Sequence, residues 1–239
     1  HGGLVVHIGC GDGKLTAALR VNDSYLVHGL DTNPQNVATA REKIQSSGVY
    51  GDVTIEQIKK DYLPYVDNSV NLVVGEDLGD VSMDEVMRVL TPEGAAYIRK
   101  GGQWATISKA RPKGMDEWTH YLYDSTNNAV SRDTIVDLPT HIQWIGEPKT
   151  ARSHDHLSSI SAAVSSGGRV FYIADEGSKA SLAFPARWSL IARDAFNGVL
   201  LWKKPIGPWE GHLRGFRSGP PEVARRLVAV EDRVYVTLG

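Results

Sequence analysis

The first hundred residues alternate between two kinds of apolar pattern. Short apolar-rich runs at 4–8, 25–30, 53–58, 68–75 and 95–100 read as strands, the one at 68–75 apolar enough to lie buried in a parallel sheet. The segments between several of them carry helix signals. Asn33-Pro34 offers a capping side chain and then a proline where no N–H is needed. The helix it opens is predicted to run to about Ser46 and stop at Gly48. Ser82 and Glu85 have capping-box spacing, with Met83, Val86, Met87 and Leu90 on one face, and Thr91-Pro92-Glu93-Gly94 should break that helix. Strands alternating with helices predict right-handed crossovers and an α/β doubly wound sheet.

From about Arg111 the helical period fades. RPKGMDE is polar and turn-rich, as a linker would be. Beyond it lie three hairpin patterns: 162–164 with 170–173 across an SSGG turn, 190–192 with 199–202 around Asn197-Gly198, and 227–230 with 234–238 across Glu231-Asp232. The first and third resemble each other, Arg169-Val170 matching Arg233-Val234 at an offset of 64 residues. The expected organisation is an α/β domain at 1–110, a linker and entry segment at 111–156, and a β-rich region at 157–239.

The most specific chemistry lies at the first strand's end. Gly9, Gly11 and Gly13 follow it at alternate positions, and the second strand ends on Asp31. Glycines let a backbone turn tightly and lie against a ligand, and an acid at that strand tip can accept hydrogen bonds from a ribose diol. The dinucleotide fingerprint G-x-G-x-x-G would place its third glycine where this chain has Lys14. The G-x-G-x-G spacing instead resembles motif I of the class I S-adenosylmethionine-dependent methyltransferases. A dinucleotide site and a purely structural loop stay open as alternatives.

DYLPYVDNSVNLVV and VLTPEG resemble the middle of the same family, so the likeness covers about residues 3–108. It implies a Rossmann-like domain with Gly9, Gly11 and Gly13 around the amino-acid part of the cofactor, Asp31 on the ribose hydroxyls and Asp61 near the adenine amino group. Glu76 and Asp77, past the fourth strand, stand where open α/β sheets bind ligands, and the alternative is a pair of solvated acids in a loop. The chain departs from the family at His7, where an acid is usual; a histidine there can hydrogen-bond the cofactor's polar end or fill space, and the second is expected. After the fifth strand it has only QWATISKA before proline and charge, where the family adds a helix and a strand pair. No acceptor-activating residue can be named, so an active methyltransferase and a vestigial domain on a non-catalytic scaffold both stay open.

LIARDAFNGVLLWKK resembles the repeat of pyrroloquinoline-quinone-type β-propellers through Ala192, Asp194, Gly198 and Trp202. That likeness implies a partial β-propeller of about one blade and the start of another, the Gly ending a turn and the Trp packing between blades. The combination resembles large bacterial proteins that join the two regions. The quinone itself is not expected: the region lacks a second cysteine and an acid cluster for calcium. Trp118, Trp144, Trp188 and Trp209 are expected to pack blades and interfaces. His154 and His156 would share a strand face and, with His120 or His141, could hold a metal; Arg152 and Asp155 suit a hydrogen-bonded loop equally well.

Composition narrows the classes. A net charge of −2 argues against a nucleic-acid surface, and no run of about 18 apolar residues offers a membrane span. Cys10 is the single cysteine, which excludes a disulfide framework. The expected partners are a small-molecule cofactor and a protein on the propeller surface. The start at His1 without a Met reads as a fragment, which leaves the compartment open.

Overall fold

The computed structural model describes residues 2–59, 61–140, 142–150, 152, 159–181, 183–210 and 221–238. The chain divides into two units, His1–Pro112 and Lys113–Gly239. The segment expected to link two domains from 111 therefore belongs, almost from its start, to the second unit.

In the first unit the apolar runs become β1 (Gly3–Ile8), β2 (Tyr25–Asp31), β3 (Val53–Gln57), β4 (Val70–Gly75) and β5 (Leu90–Lys100). A sixth strand, β6 (Gln103–Ser108), completes one sheet in the order β3-β2-β1-β4-β5-β6. β1 to β5 pair in parallel, and β6 returns antiparallel along β5 from Ala95↔Ser108 to Lys100↔Gln103. The chain leaves β1 toward β2 on one side and reaches β4 on the other. The β1/β4 boundary is thus the point where strand order reverses, and ligands of open α/β sheets bind beyond the strand C-termini there.

Alternation along the strands fills both faces. Val6 and Ile8 of β1 and Val73 of β4 join Leu30, Leu63, Val86 and Leu90, packed with the helix α3 (Met83–Val89). Val5 and Val74 point the other way, with Val27, Ala40 and Ile44. That face carries α1 (Lys14–Ala18) and α2 (Pro34–Ser46). Val6, Leu30, Ile44 and Val73 are fully enclosed, each contributing roughly 1.5–3 kcal/mol of apolar burial.

Local signals explain most boundaries. Asn33 caps α2 by accepting from Gln35 N at 2.9 Å, and Pro34 follows it. Ser82 accepts from Glu85 N at 3.2 Å, giving half of the expected capping box. The Glu85 carboxylate does not return to the cap. It accepts from Leu63 N at 2.7 Å and from Arg88, so it braces the β3–β4 connection. Thr91-Pro92-Glu93-Gly94 ends α3 but lies inside β5 rather than before it. Leu90 pairs with Val70, and a register shift before Leu72↔Ala95 absorbs the extra residues. Glu93 has φ 65°, as a bulge in an otherwise continuous strand allows.

The second unit contains β7 (Ile160–Ser166), β8 (Arg169–Asp175), β9 (Trp188–Asp194) and β10 (Leu200–Pro205) in a four-stranded antiparallel sheet, order β10-β9-β8-β7. A separate pair joins β11 (Leu227–Val230) to β12 (Arg233–Val236). All three expected hairpins are present, with slightly different ends. Ala162, Phe171, Ile173, Ala192, Trp209 and Leu227 share one core.

Candidate functional site

The strand C-termini of the first unit frame a cleft of about 190 Å³. Ile8 and Gly9 close it from β1, Asp31 and Thr32 from β2, Ile58 and Lys59 after β3, and residues 77–81 after β4. Every wall comes from the end of a parallel strand, so sheet polarity places the site.

The glycine loop is fastened to the sheet by its own backbone. Gly9 N and Cys10 N both donate to Leu30 O, at 2.8 and 3.0 Å. The three glycines have φ 73°, 53° and 77°, left-handed values that disfavour a side chain. Their surroundings differ. A Cβ on Gly11 would meet nothing within 4 Å, and one on Gly9 would meet only Asp77 O at 3.5 Å. A Cβ on Gly13 would sit 3.0 Å from the Ala40 Cβ. Gly9 and Gly11 therefore keep the loop bare, whereas Gly13 lets α1 approach α2.

Asp31 is 7% exposed and anchored from three sides. Its Oδ2 accepts from Gly11 N at 3.0 Å and from Asn36 Nδ2 at 3.1 Å; its Oδ1 accepts from Asn33 N at 2.9 Å. The glycine loop, β2 and the start of α2 thus meet on one carboxylate. Asp12, inside the loop, accepts from Lys14 N at 3.0 Å and from Lys43 Nζ at 3.2 Å. The Lys14 backbone donor and the two lysines hold its carboxylate below the usual aspartate range.

The remaining expected residues separate. Asp61 is exposed and does not line the cleft; Ile58 and Lys59 take that wall. Asp77 lines it, its Oδ1 accepting from Gly79 N at 2.9 Å, while Glu76 faces solvent 3.8 Å from Arg99. His7 is 4% exposed, with Nδ1 2.8 Å from Thr16 Oγ1. Burial lowers its pKa, and the carboxylates of Glu76 and Asp31 partly offset that. Burial, then Asp31, pushes the Cys10 thiol up to about 11, which leaves it a packing residue rather than a nucleophile. Sequence reasoning missed Thr32, Lys59 and Asp80 in the lining. It also missed Asn36, which stands outside the lining and braces Asp31 from the first turn of α2.

In the second unit, Asp194 Oδ1 accepts from Phe196 N and Asn197 N at 2.9 and 3.1 Å, and Gly198 turns at φ 72°. The tryptophan against this turn is Trp144: a Cβ on Gly198 would lie 2.5 Å from its ring. Trp144 Nε1 donates to Ala195 O at 2.9 Å. Trp202 is instead 39% exposed, its ring 6.0 Å from Phe171. Trp188 and Trp209 are buried, and Trp209 Nε1 donates to Ser161 Oγ at 2.6 Å. Arg152 is enclosed, bonding Asp175 at 2.8 Å and the carbonyls of Ser178, Ser181, Phe184 and Pro185. His141, His154, Asp155 and His156 lie outside the described residues. His120 Nδ1 lies 2.8 Å from Thr119 Oγ1. Among the described residues no three His, Cys, Asp or Glu side chains converge as metal ligands.

Residues 5–94 match the family described as "Methyltransferase domain". The chain is similar to a demethylmenaquinone methyltransferase of Lactobacillus johnsonii, 33% identical over 110 residues, covering 43% of this chain and 45% of that protein. It is also similar to methyltransferase GfsG of Streptomyces halstedii, 26% identical over 170 residues, covering 70% and 52%. It thus spans about half the length of these relatives. Among solved structures it is similar to a putative S-adenosyl-L-methionine-dependent methyltransferase of Methanococcus maripaludis, with 26% identity, TM-score 0.39, and coverage of 43% of this chain and 50% of that one.

Proposed function

We propose that the first unit, which has a Rossmann-like methyltransferase fold, binds S-adenosylmethionine in the cleft at the ends of β1–β4 and presents its methyl group to an acceptor. The observation that carries this reading is the meeting of Asp31 with the bare Gly9–Gly11 loop at the point where strand order reverses. Gly9 and Asp31, which line the cleft, are the residues that would hold the cofactor, and Gly11 keeps the loop beside them bare. Bound there, it would supply an electrophilic methyl carried on a sulfonium. The chain's own contribution is positioning, which alone can lower a bimolecular barrier by roughly 7–11 kcal/mol. The cleft's 190 Å³ suits one end of such a ligand, and the exposed backbone at Gly9 offers a path for the rest. Gly13 acts on helix packing, and Asp61 and Glu76 lie outside the lining, so we assign those three no direct contact.

A dinucleotide fits less well. Its pyrophosphate needs free N–H groups at a helix start. Here Lys14 N, the first of α1, is taken by the Asp12 carboxylate, an anion where the phosphate would lie.

For the second unit the reading is a β-propeller in part. Its support is a four-stranded antiparallel meander of blade size. A second hairpin repeats its opening, with Arg169 and Arg233 each starting the second strand. Ultraviolet cross-linking of labelled S-adenosylmethionine to the chain, followed by peptide mapping, tests the placement. Label is expected on peptides containing residues 8–14, 31–36, 58–59 or 77–81, and label confined to other peptides would refute it.

A further inference from the structure

Sheet edges expose unpaired N–H and C=O groups, and this chain guards its edges unevenly. Arg41 Nε donates to Ile55 O of β3 at 2.9 Å, and β3 also carries Glu56. Ser165 N of β7 donates to Trp118 O at 2.7 Å and Ala229 N of β11 to Thr119 O at 3.0 Å, so the segment at 118–119 covers both. β10 carries Lys203, Lys204 and Pro205, and β12 carries Arg233. Charge, proline and cover are the usual devices against edge-to-edge pairing. β6, at one end of the first unit's sheet, has none of them. Its sequence QWATIS is uncharged and free of proline, and four of its six residues are exposed. Among the described residues nothing outside the sheet bonds the backbone of 103–108.

That edge is also self-complementary. Gly101 and Gly102, at φ 59° and 84°, form the two-residue loop that closes β5 on β6 at Lys100↔Gln103. Such a closing pair is hydrogen-bonded, and bonding alternates along an antiparallel ladder. Gln103, Ala105 and Ile107 therefore bond β5, while Trp104, Thr106 and Ser108 turn their N–H and C=O groups outward. A second β6 running antiparallel uses all three outward residues in one register. It sets Thr106 against Thr106 on a twofold axis, and Trp104 of each copy against Ser108 of the other. Thr–Thr pairs across strands are favourable, Ser108 is small beside an indole ring, and none of the paired residues is charged. On the same face Tyr97 stacks on Trp104, ring centroids 4.6 Å apart, with the residues 41% and 38% exposed. Each copy thus brings a half-open aromatic pair to the shared face. We propose that β6 is a self-association edge: two copies of this chain pair β6 to β6, antiparallel and centred on Thr106, and join their sheets into one. A six-residue edge is smaller than a standard interface, so this dimer exchanges with monomer.

Sedimentation equilibrium of the full 239-residue chain is the test. The unaltered chain should pass from monomer toward dimer between roughly 10 μM and 1 mM, the range of a small interface. Thr106→Lys and Thr106→Glu each set like charges directly opposite on the axis and should weaken dimerisation about 5-fold. Mixed in equal amounts, the two variants should recover at least the parent's dimer fraction, because the axis then joins opposite charges. Thr106→Pro removes an outward N–H that β5 does not use, so it should leave the monomer folded and abolish the dimer. Thr106 is exposed, and all three variants should melt within a few degrees of the parent chain. A parent chain that stays monomeric at about 1 mM would overturn the proposal. Dimers that persist unchanged in Thr106→Pro would place the contact on another surface and overturn it too. Charge variants that do not recover on mixing would reject the register centred on Thr106.

Discussion

Replacing Gly13 with alanine separates the two roles in the glycine loop. The added methyl meets the Ala40 Cβ at 3.0 Å, its Cα at 3.2 Å and its carbonyl oxygen at 3.4 Å, and two of these three atoms are backbone that cannot swing aside. Overpacking of that kind typically costs about 1–3 kcal/mol. Gly13 also has φ 77°, and a left-handed residue with a Cβ costs about 1–2 kcal/mol. The sum, about 2–5 kcal/mol, is a large part of the 5–15 kcal/mol that stabilises a typical domain. Gly48→Ala is the control, because it shares the strain at φ 72° but its methyl would meet nothing within 4 Å. Amide exchange of β1 and β2 peptides, read by mass spectrometry, gives the local opening free energy of each variant. Gly13→Ala should lose about 1–3 kcal/mol more than Gly48→Ala. Equal losses would show that α1 and α2 do not meet at Gly13, and the assignment of that glycine to packing would fall.

Acidification should weaken the first unit. Burial lowers the pKa of both His7 and His28 from 6.5, so the unfolded chain binds protons that the folded unit does not. Stability is complete above that value and falls as pH drops below it; a urea midpoint that stays flat between pH 7.5 and 5 would contradict this, and His7→Gln should shallow the slope. In the second unit, Arg152→Met strands the Asp175 carboxylate, the two side chains being 1% and 0% exposed. The loss should be about 3–5 kcal/mol by urea unfolding. Adding Asp175→Asn should restore part of it, and a loss under about 1 kcal/mol for the single variant would mean that the pair is not enclosed.

What the sequence made legible followed from local signals. Period-two and buried apolar runs, the Asn33-Pro34 cap and the glycine turns are decided within a few residues, and their elements stand close to where the pattern puts them. The less legible features depend on partners distant in the chain. Leu90 joins β5 because Val70 is there to pair with it, so the proline-containing tetrapeptide that follows the helix end forms a bulge inside the strand. Gly13 and Gly11 look alike in sequence, and only the approach of Ala40 separates their roles. Trp144, 54 residues before Gly198 in the numbering, packs against that turn, whereas Trp202, expected between blades, is 39% exposed. Asp61 had the residue type for an adenine contact, but the chain after β3 turns Ile58 and Lys59 into the cleft instead.

Equilibrium dialysis of the chain against labelled S-adenosylmethionine, with NAD as competitor, tests the central claim most directly. The account predicts saturable binding at one site, undiminished by NAD and weakened at least roughly 10-fold by Asp31→Ala, the loss expected when a charged hydrogen-bond acceptor is removed. Displacement by NAD, an unchanged affinity in Asp31→Ala, or no uptake at millimolar ligand would contradict it.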